Sequence, residues 1–305
     1  MINQTTRGKK RRRTVWTIAP MKTGVAHEEN FPVASWLCPP RLRPVIAAIY
    51  WFARTADDIA DEGDAHAGQR LADLAAYREA LNQAARQPAA SHTRWPDVFV
   101  PLAAHIHTHQ LPLELLHDLL SAFEQDVHRT ANGQHYTDHG ALLGYCSLSA
   151  NPVGRLLLHL YGITDPALLA QSDHICTALQ LINFWQDLSR DLPRQRHYLP
   201  LAELQAAGLT HADFAPGAHP SAKTQQTMEK LIAELIYQAR ASMEKGAKLC
   251  RQVPGRAGWE LRLVVQGGLR IAEKAQALHH RTWLHRPKLG VGDVPLLLWR
   301  AWRMG

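Results

Sequence analysis

The sequence predicts an all-α, single-domain helical bundle, and three observations predict it. Apolar residues recur at three- and four-residue steps over long stretches, and no strand-like alternation of useful length interrupts them. The breaks between these stretches carry Pro and Gly, at Gln87-Pro88, Leu111-Pro112, Asn132-Gly133, Thr164-Asp165-Pro166 and Pro254-Gly255. Ala and Leu are abundant and β-branched runs are few, which favours helix because Ala and straight-chain side chains lose least freedom there.

Taken in order, residues 1–26 form a basic extension with no helical pattern, expected to be disordered. From Pro44 to Asp61, Val45, Ala48, Ile49, Phe52, Ala56 and Ile59 mark one helical face, closed by Gly63. Further helices are expected over 67–86, 98–109, 112–129, 138–161, 165–190, 222–249 and 256–283. The stretch 192–221, with Pro193, Pro200, Gly208, Pro216 and Pro220, reads as the longest irregular segment, either a cover for a site or a plain connection. No internal repeat and no Ser-, Gly- or Pro-rich linker divides the body, so 27–305 is expected to be one helical domain.

Charge narrows the function classes. Seven of the 34 Lys and Arg lie in residues 1–22, where there is no acid, so the body carries 27 residues of each sign. The basic run Arg7–Arg13 is read as a solvated tail, with Met21 a second plausible start, and no nucleic-acid partner is expected because no aromatic-basic groove pattern recurs. No signal-peptide core follows the basic run, and no apolar stretch approaches the ~18 residues that span a bilayer. A cytoplasmic location is expected. The C-terminal mixture of Leu, Trp and Arg from Val294 to Arg303 suits peripheral contact with the inner face of the cytoplasmic membrane, and equally suits a last helix docked on the core. Cys38, Cys146, Cys176 and Cys250 have no metal-site spacing and read as buried thiols; the alternating His105, His107 and His109 read as core or solvated residues, not as a zinc site.

Two clusters carry chemistry. The first is Arg54-Thr-Ala-Asp57-Asp58-Ile-Ala-Asp61-Glu62, in which Asp57 and Asp61 share a helical face. The second is Asn183-Phe-Trp-Gln186-Asp187-Leu-Ser-Arg190-Asp191, which places Asn183, Asp187 and Asp191 at i, i+4 and i+8. Like charges at i, i+4 destabilise a helix by ~0.2–0.5 kcal/mol per pair. Either cluster alone is an ordinary solvated face. Two of them, inside otherwise apolar helices, point to a bound cation, and hard oxygen ligands of this kind select Mg²⁺ with substrate phosphates.

On these residues the chain resembles the squalene/phytoene synthase family, whose members bind prenyl diphosphates through two DxxxD motifs and Mg²⁺. Asp57-x-x-x-Asp61 and Asp187-x-x-x-Asp191 match the two motifs, Asn183 the asparagine ligand before the second, and Arg54 the arginine before the first. The likeness extends over His27-Glu-Glu-Asn30-Phe31-Pro32, Tyr145, Gln180 and Arg196-His-Tyr198-Leu-Pro200. It implies an isoprenoid synthase-type bundle with a central cavity. It also implies catalytic roles for Asp57, Asp61, Asp187, Asp191 and Tyr145, and substrate contacts from Arg54, Asn30, Phe31, Asn151, Gln180, Gln186, Arg196 and Tyr198. Phe31, Tyr50, Phe52, Phe184 and Trp185 are candidates for the hydrocarbon channel, with core packing the plainer reading of each.

The departures from condensing members point to a subclass. Gln186 stands where those members carry an arginine, Arg190 where they carry an acid, and Asn151-Pro152 where they have small residues. With Leu261–Arg270, these features resemble the hydroxysqualene synthases of hopanoid-producing bacteria. The implied reaction is Mg²⁺-dependent loss of diphosphate from presqualene diphosphate, with water trapping the cation. A presqualene diphosphate synthase would supply the substrate and a hydroxysqualene-reducing enzyme would take the product. Tyr145, Asn151, Asn30 and Gln186 are the candidates for positioning the water. Head-to-head condensation of two prenyl diphosphates and a non-catalytic assembly or binding protein of the same fold are the alternatives.

Overall fold

The computed structural model describes residues 38–87 and 94–304, and among them there is no strand. The helices are α1 (Arg43–Asp61), α2 (Ala67–Arg86), α3 (Pro96–His109), α4 (Leu113–Asn132), α5 (His139–Ser149), α6 (Asn151–Leu160), α7 (Pro166–Gln186), α8 (Leu188–Asp191), α9 (Leu201–Ala206), α10 (Ala222–Gly246), α11 (Gly255–Ala277) and α12 (Val294–Arg303). The all-α expectation holds.

Local chemistry sets most of the boundaries. Pro44 stands in the first turn of α1, where its missing N–H costs nothing, and Gly63 beyond the far end takes φ +78°, open to glycine at no cost. Asp138 caps α5 by accepting from Ala141 N–H at 2.8 Å, and Asp165 caps α7 by accepting from Ala167 N–H at 2.8 Å. The single helix expected over 138–161 is two. Pro152 has no N–H to donate and its ring cannot pass the carbonyl four residues earlier, so the chain turns at Ala150. The continuous helix expected over 165–190 is also interrupted, at Asp187. There Ser189 N–H leaves the helical ladder and donates to Thr282 carbonyl at 3.1 Å. Asn183, Asp187 and Asp191 therefore do not lie on one straight face.

The stretch 192–221 is more ordered than its prolines suggest. It contains α9 and two 3₁₀ turns, Leu192–Arg194 and His211–Phe214, and it buries Leu204, Leu209 and Phe214. Leu201 and Ala202 N–H donate to the carbonyls of Tyr136 and Thr137, both at 2.9 Å, which ties it to the α4–α5 connection.

Two apolar clusters make the interior. One joins α1 to α4 with Leu156 of α6, around Phe52, Tyr77 and Phe99; the other joins α5, α7, α10 and α11 with α9 and its flanks. α7 packs along α10, α6 and α11. Gly154 of α6 allows close approach to α7, since a Cβ there would overlap Ser172 Oγ and Cys176 Sγ. The first acidic motif sits on the helix lining one cluster, and the second at the end of a helix central to the other. The seam between the clusters positions the site.

Candidate active site

In α1, Asp57 is almost wholly buried, and Arg54, one turn earlier, lies among three acids. Its guanidinium donates to Asp57 at 3.1 Å, to Asp58 and to Glu62 at 3.1 Å. Burial opposes the Arg54 charge, and the three carboxylates outweigh it, holding its pKa above the ordinary value.

The last aspartate of the first motif reaches across the seam. Asp61 pairs with Arg196, and the Arg196 backbone N–H donates to the Asp191 carbonyl at 3.1 Å. One residue therefore ties both motifs together. Its Nη1 is buried with no hydrogen-bond partner, a donor left over for an anion in the seam.

The second motif is as well covered. Asp187 and Asp191 are buried, and Asn183 is half-buried one turn before Asp187. Asp187 pairs with Arg286, their side chains only 7% and 6% exposed. Arg286 comes from the irregular chain between α11 and α12, and sequence reasoning missed it: it belongs to no motif and lies 99 residues from its partner. Gln186 is buried beside this pair and donates to the Pro287 carbonyl at 2.7 Å, which anchors the same segment. Gln180 is buried on α7, a turn before Asn183.

Aromatic rings stand next to the second motif. Phe184 and Tyr198 stack at 3.8 Å with planes 13° apart, and Tyr145 lies 6.0 Å from Phe184 and 6.4 Å from Tyr198. Tyr145 donates to Asp126 Oδ2 at 2.6 Å. Burial, then Asp126 and the neighbouring tyrosines, push the Tyr145 pKa well above the ordinary phenol value, so the hydroxyl stays neutral. Asp126, on α4, is a second residue that no motif flagged. Asn151 accepts from Thr177 Oγ1 at 2.9 Å, joining the start of α6 to α7. Phe52 and Trp185 are fully buried; Phe52 packs on Tyr77 and Phe99, inside the α1–α4 cluster. Asn30, Phe31 and the extension 1–26 lie outside the described residues.

The donor set suits a hard divalent cation. Asp57, Asp61, Asp187, Asp191 and Asn183 offer only oxygen donors, in cover where a lone carboxylate would be costly. Among the described residues no three carboxylates converge within 4.8 Å.

The squalene/phytoene synthase family profile matches residues 25–298. A hydroxysqualene synthase of Zymomonas mobilis is 38% identical over 216 residues, covering 69% of this chain and 68% of the relative. One from Rhodopseudomonas palustris is 32% identical over 260 residues, covering 84% and 82%. Among solved structures, squalene synthase HpnC from Alicyclobacillus acidocaldarius superimposes with a TM-score of 0.70 at 33% identity, covering 81% of this chain and 87% of that one.

Proposed function

Because the chain belongs to the squalene/phytoene synthase family, we propose that it converts presqualene diphosphate and water to hydroxysqualene and diphosphate, with Mg²⁺ as cofactor, on a bacterial route to squalene and hopanoids. The observation that carries this reading is Arg196. It holds Asp61 with its side chain and Asp191 with its backbone, and it leaves one buried guanidinium nitrogen for an anion.

Mg²⁺ bound by Asp57, Asp61, Asn183, Asp187 and Asp191 would supply Lewis-acid neutralisation of the leaving group. Arg54, Arg196 and Arg286 add fixed positive charge at the same seam, suited to phosphate oxygens. The carbon–oxygen bond breaks with its electron pair going to diphosphate. The cyclopropylcarbinyl cation then rearranges beside Tyr145, Phe184 and Tyr198, whose ring faces favour positive charge. A water oxygen bonds to the cationic carbon and loses a proton to the released diphosphate, so no reductant is consumed. Tyr145 keeps oxygen lone pairs to orient that water while its own hydroxyl proton is committed to a hydrogen bond with Asp126. Gln186 and Asn151 are held by Pro287 and Thr177, which favours Tyr145 for the task.

Gln186 supports this subclass over condensation. A condensing enzyme handles two diphosphates, and here a neutral amide, turned to a backbone carbonyl, stands at a position where condensing relatives carry an arginine. A head-to-head condensing enzyme must supply the substrate, and a reducing enzyme must consume the allylic alcohol.

No helix among the described residues is long and apolar enough to cross a membrane. Contact of α12 with a lipid surface is part of the proposal. Ala301 buries one face against the core and Arg300 pairs with Glu273 at 2.6 Å, while Trp299 and Trp302 remain 51% and 66% exposed.

The test is to incubate purified protein and Mg²⁺ with presqualene diphosphate and, separately, with farnesyl diphosphate, without reductant. A C30 alcohol from the first and no product from the second supports the reading. Product from farnesyl diphosphate alone makes the chain a condensing enzyme.

A further inference from the structure

Three histidines with no part in the proposed reaction converge on one point. His135 follows α4, His197 lies between Arg196 and Tyr198, and His211 opens the 3₁₀ turn His211–Phe214. One ring nitrogen from each lies within 4.8 Å of the other two, and the ring centroids are 4.2 to 4.8 Å apart.

The hydrogen bonding leaves lone pairs without partners. His135 Nδ1 and His197 Nδ1 are buried with no hydrogen-bond partner. His211 Nε2 lies 2.9 Å from the Leu199 carbonyl, so it must donate, and that tautomer leaves Nδ1 as the acceptor. A backbone carbonyl that fixes the tautomer of an imidazole is the usual outer support of a metal-binding histidine. Burial, followed by His211 and His135, pushes the His197 pKa down to about 4, and burial also lowers those of His135 and His211. All three rings are neutral at physiological pH, so no proton competes for their lone pairs. The Arg129 guanidinium nearby is turned to the His135 carbonyl and the Tyr136 ring.

We propose that His135, His197 and His211 bind one borderline transition-metal ion of the Zn²⁺ class, at a site separate from the carboxylates. Imidazole ligands suit Zn²⁺, Ni²⁺, Cu²⁺ and Co²⁺, whereas Mg²⁺ prefers oxygen. Tetrahedral Zn²⁺ with bonds of ~2.0–2.1 Å sets its ligand nitrogens roughly 3.3 Å apart, so the rings close by at most about 1.5 Å on binding and leave a fourth position to water. The ion would staple the α4–α5 connection to the chain on both sides of α9. Arg196 and Tyr198 flank His197, so the staple positions the segment that reaches the acidic seam.

The experiment uses the full chain without an affinity tag, stripped by chelator and held in excess Mg²⁺ so that the carboxylates are supplied. Co²⁺ is titrated in and the visible d–d absorption is read. One equivalent giving an intense four-coordinate spectrum, displaced by Zn²⁺, is expected, together with a Zn²⁺-dependent rise in melting temperature. H135Q and H197Q should each abolish both signals, while H105Q, outside the cluster, keeps them; far-UV circular dichroism identifies variants that fold. The wild-type spectrum is decisive even where a variant fails to fold. No such band in the wild type, or a band that survives H135Q and H197Q, overturns the proposal.

Discussion

Replacing Arg286 with Gln tests whether the arginines of the seam act as counter-charges for the acidic motifs. The Arg286–Asp187 pair is among the best-covered ion pairs described, with side chains 6% and 7% exposed, so solvent screening does not cancel it. Removing one partner of such a pair strands a buried charge and costs about 3–5 kcal/mol. At roughly 2–4 °C per kcal/mol for a chain approaching this size, R286Q should melt on the order of 10 °C below the wild type in chelator. The assay is urea unfolding and thermal melting of both proteins, with chelator and with saturating Mg²⁺. Magnesium offers Asp187 a replacement charge, so the deficit should shrink when it is added. D187N should also rescue R286Q, because the double variant has no stranded carboxylate, and the cycle should yield a coupling of ~1–3 kcal/mol. An R286Q protein that melts like wild type in chelator, or a deficit that Mg²⁺ leaves unchanged, refutes the reasoning.

Other changes probe separate parts of the molecule. D57N and D187N should each lower kcat by at least ~10²-fold in a diphosphate-release assay, the scale of losing one preorganised electrostatic contact. G154A forces a Cβ into Ser172 Oγ and Cys176 Sγ, so urea unfolding should report a loss of about 1–3 kcal/mol from overpacking between α6 and α7. His197 has a depressed pKa in the fold, so its contribution is present above pH 6.5 and is lost as pH falls toward about 4; the metal-free protein should lose on the order of 2 kcal/mol over that interval, and H197Q should flatten the slope. W302E should weaken sedimentation with anionic vesicles without lowering the melting temperature, since Trp302 is mostly exposed.

Much of the fold and part of the site are written locally in the chain. Helix periodicity, the cap residues Asp138 and Asp165, and the spacing Asp57 to Asp61 act within a turn or two, and local rules read them directly. The break at Ala150 is also local, being a consequence of Pro152. The partners of the acids are of another kind. Arg286 meets Asp187, Arg196 meets Asp61 and Asp126 meets Tyr145 only because separate helices and loops close on one another. The kink at Asp187 depends on Thr282, far along the chain, and the histidine cluster gathers two irregular segments and the end of α4. The chain's local pattern set where most of the helices run and put Asp57 and Asp61 on one face, because those interactions span three or four residues. Only the tertiary structure decided which cation stands against each carboxylate, because burial and long-range pairing depend on how the two apolar clusters meet.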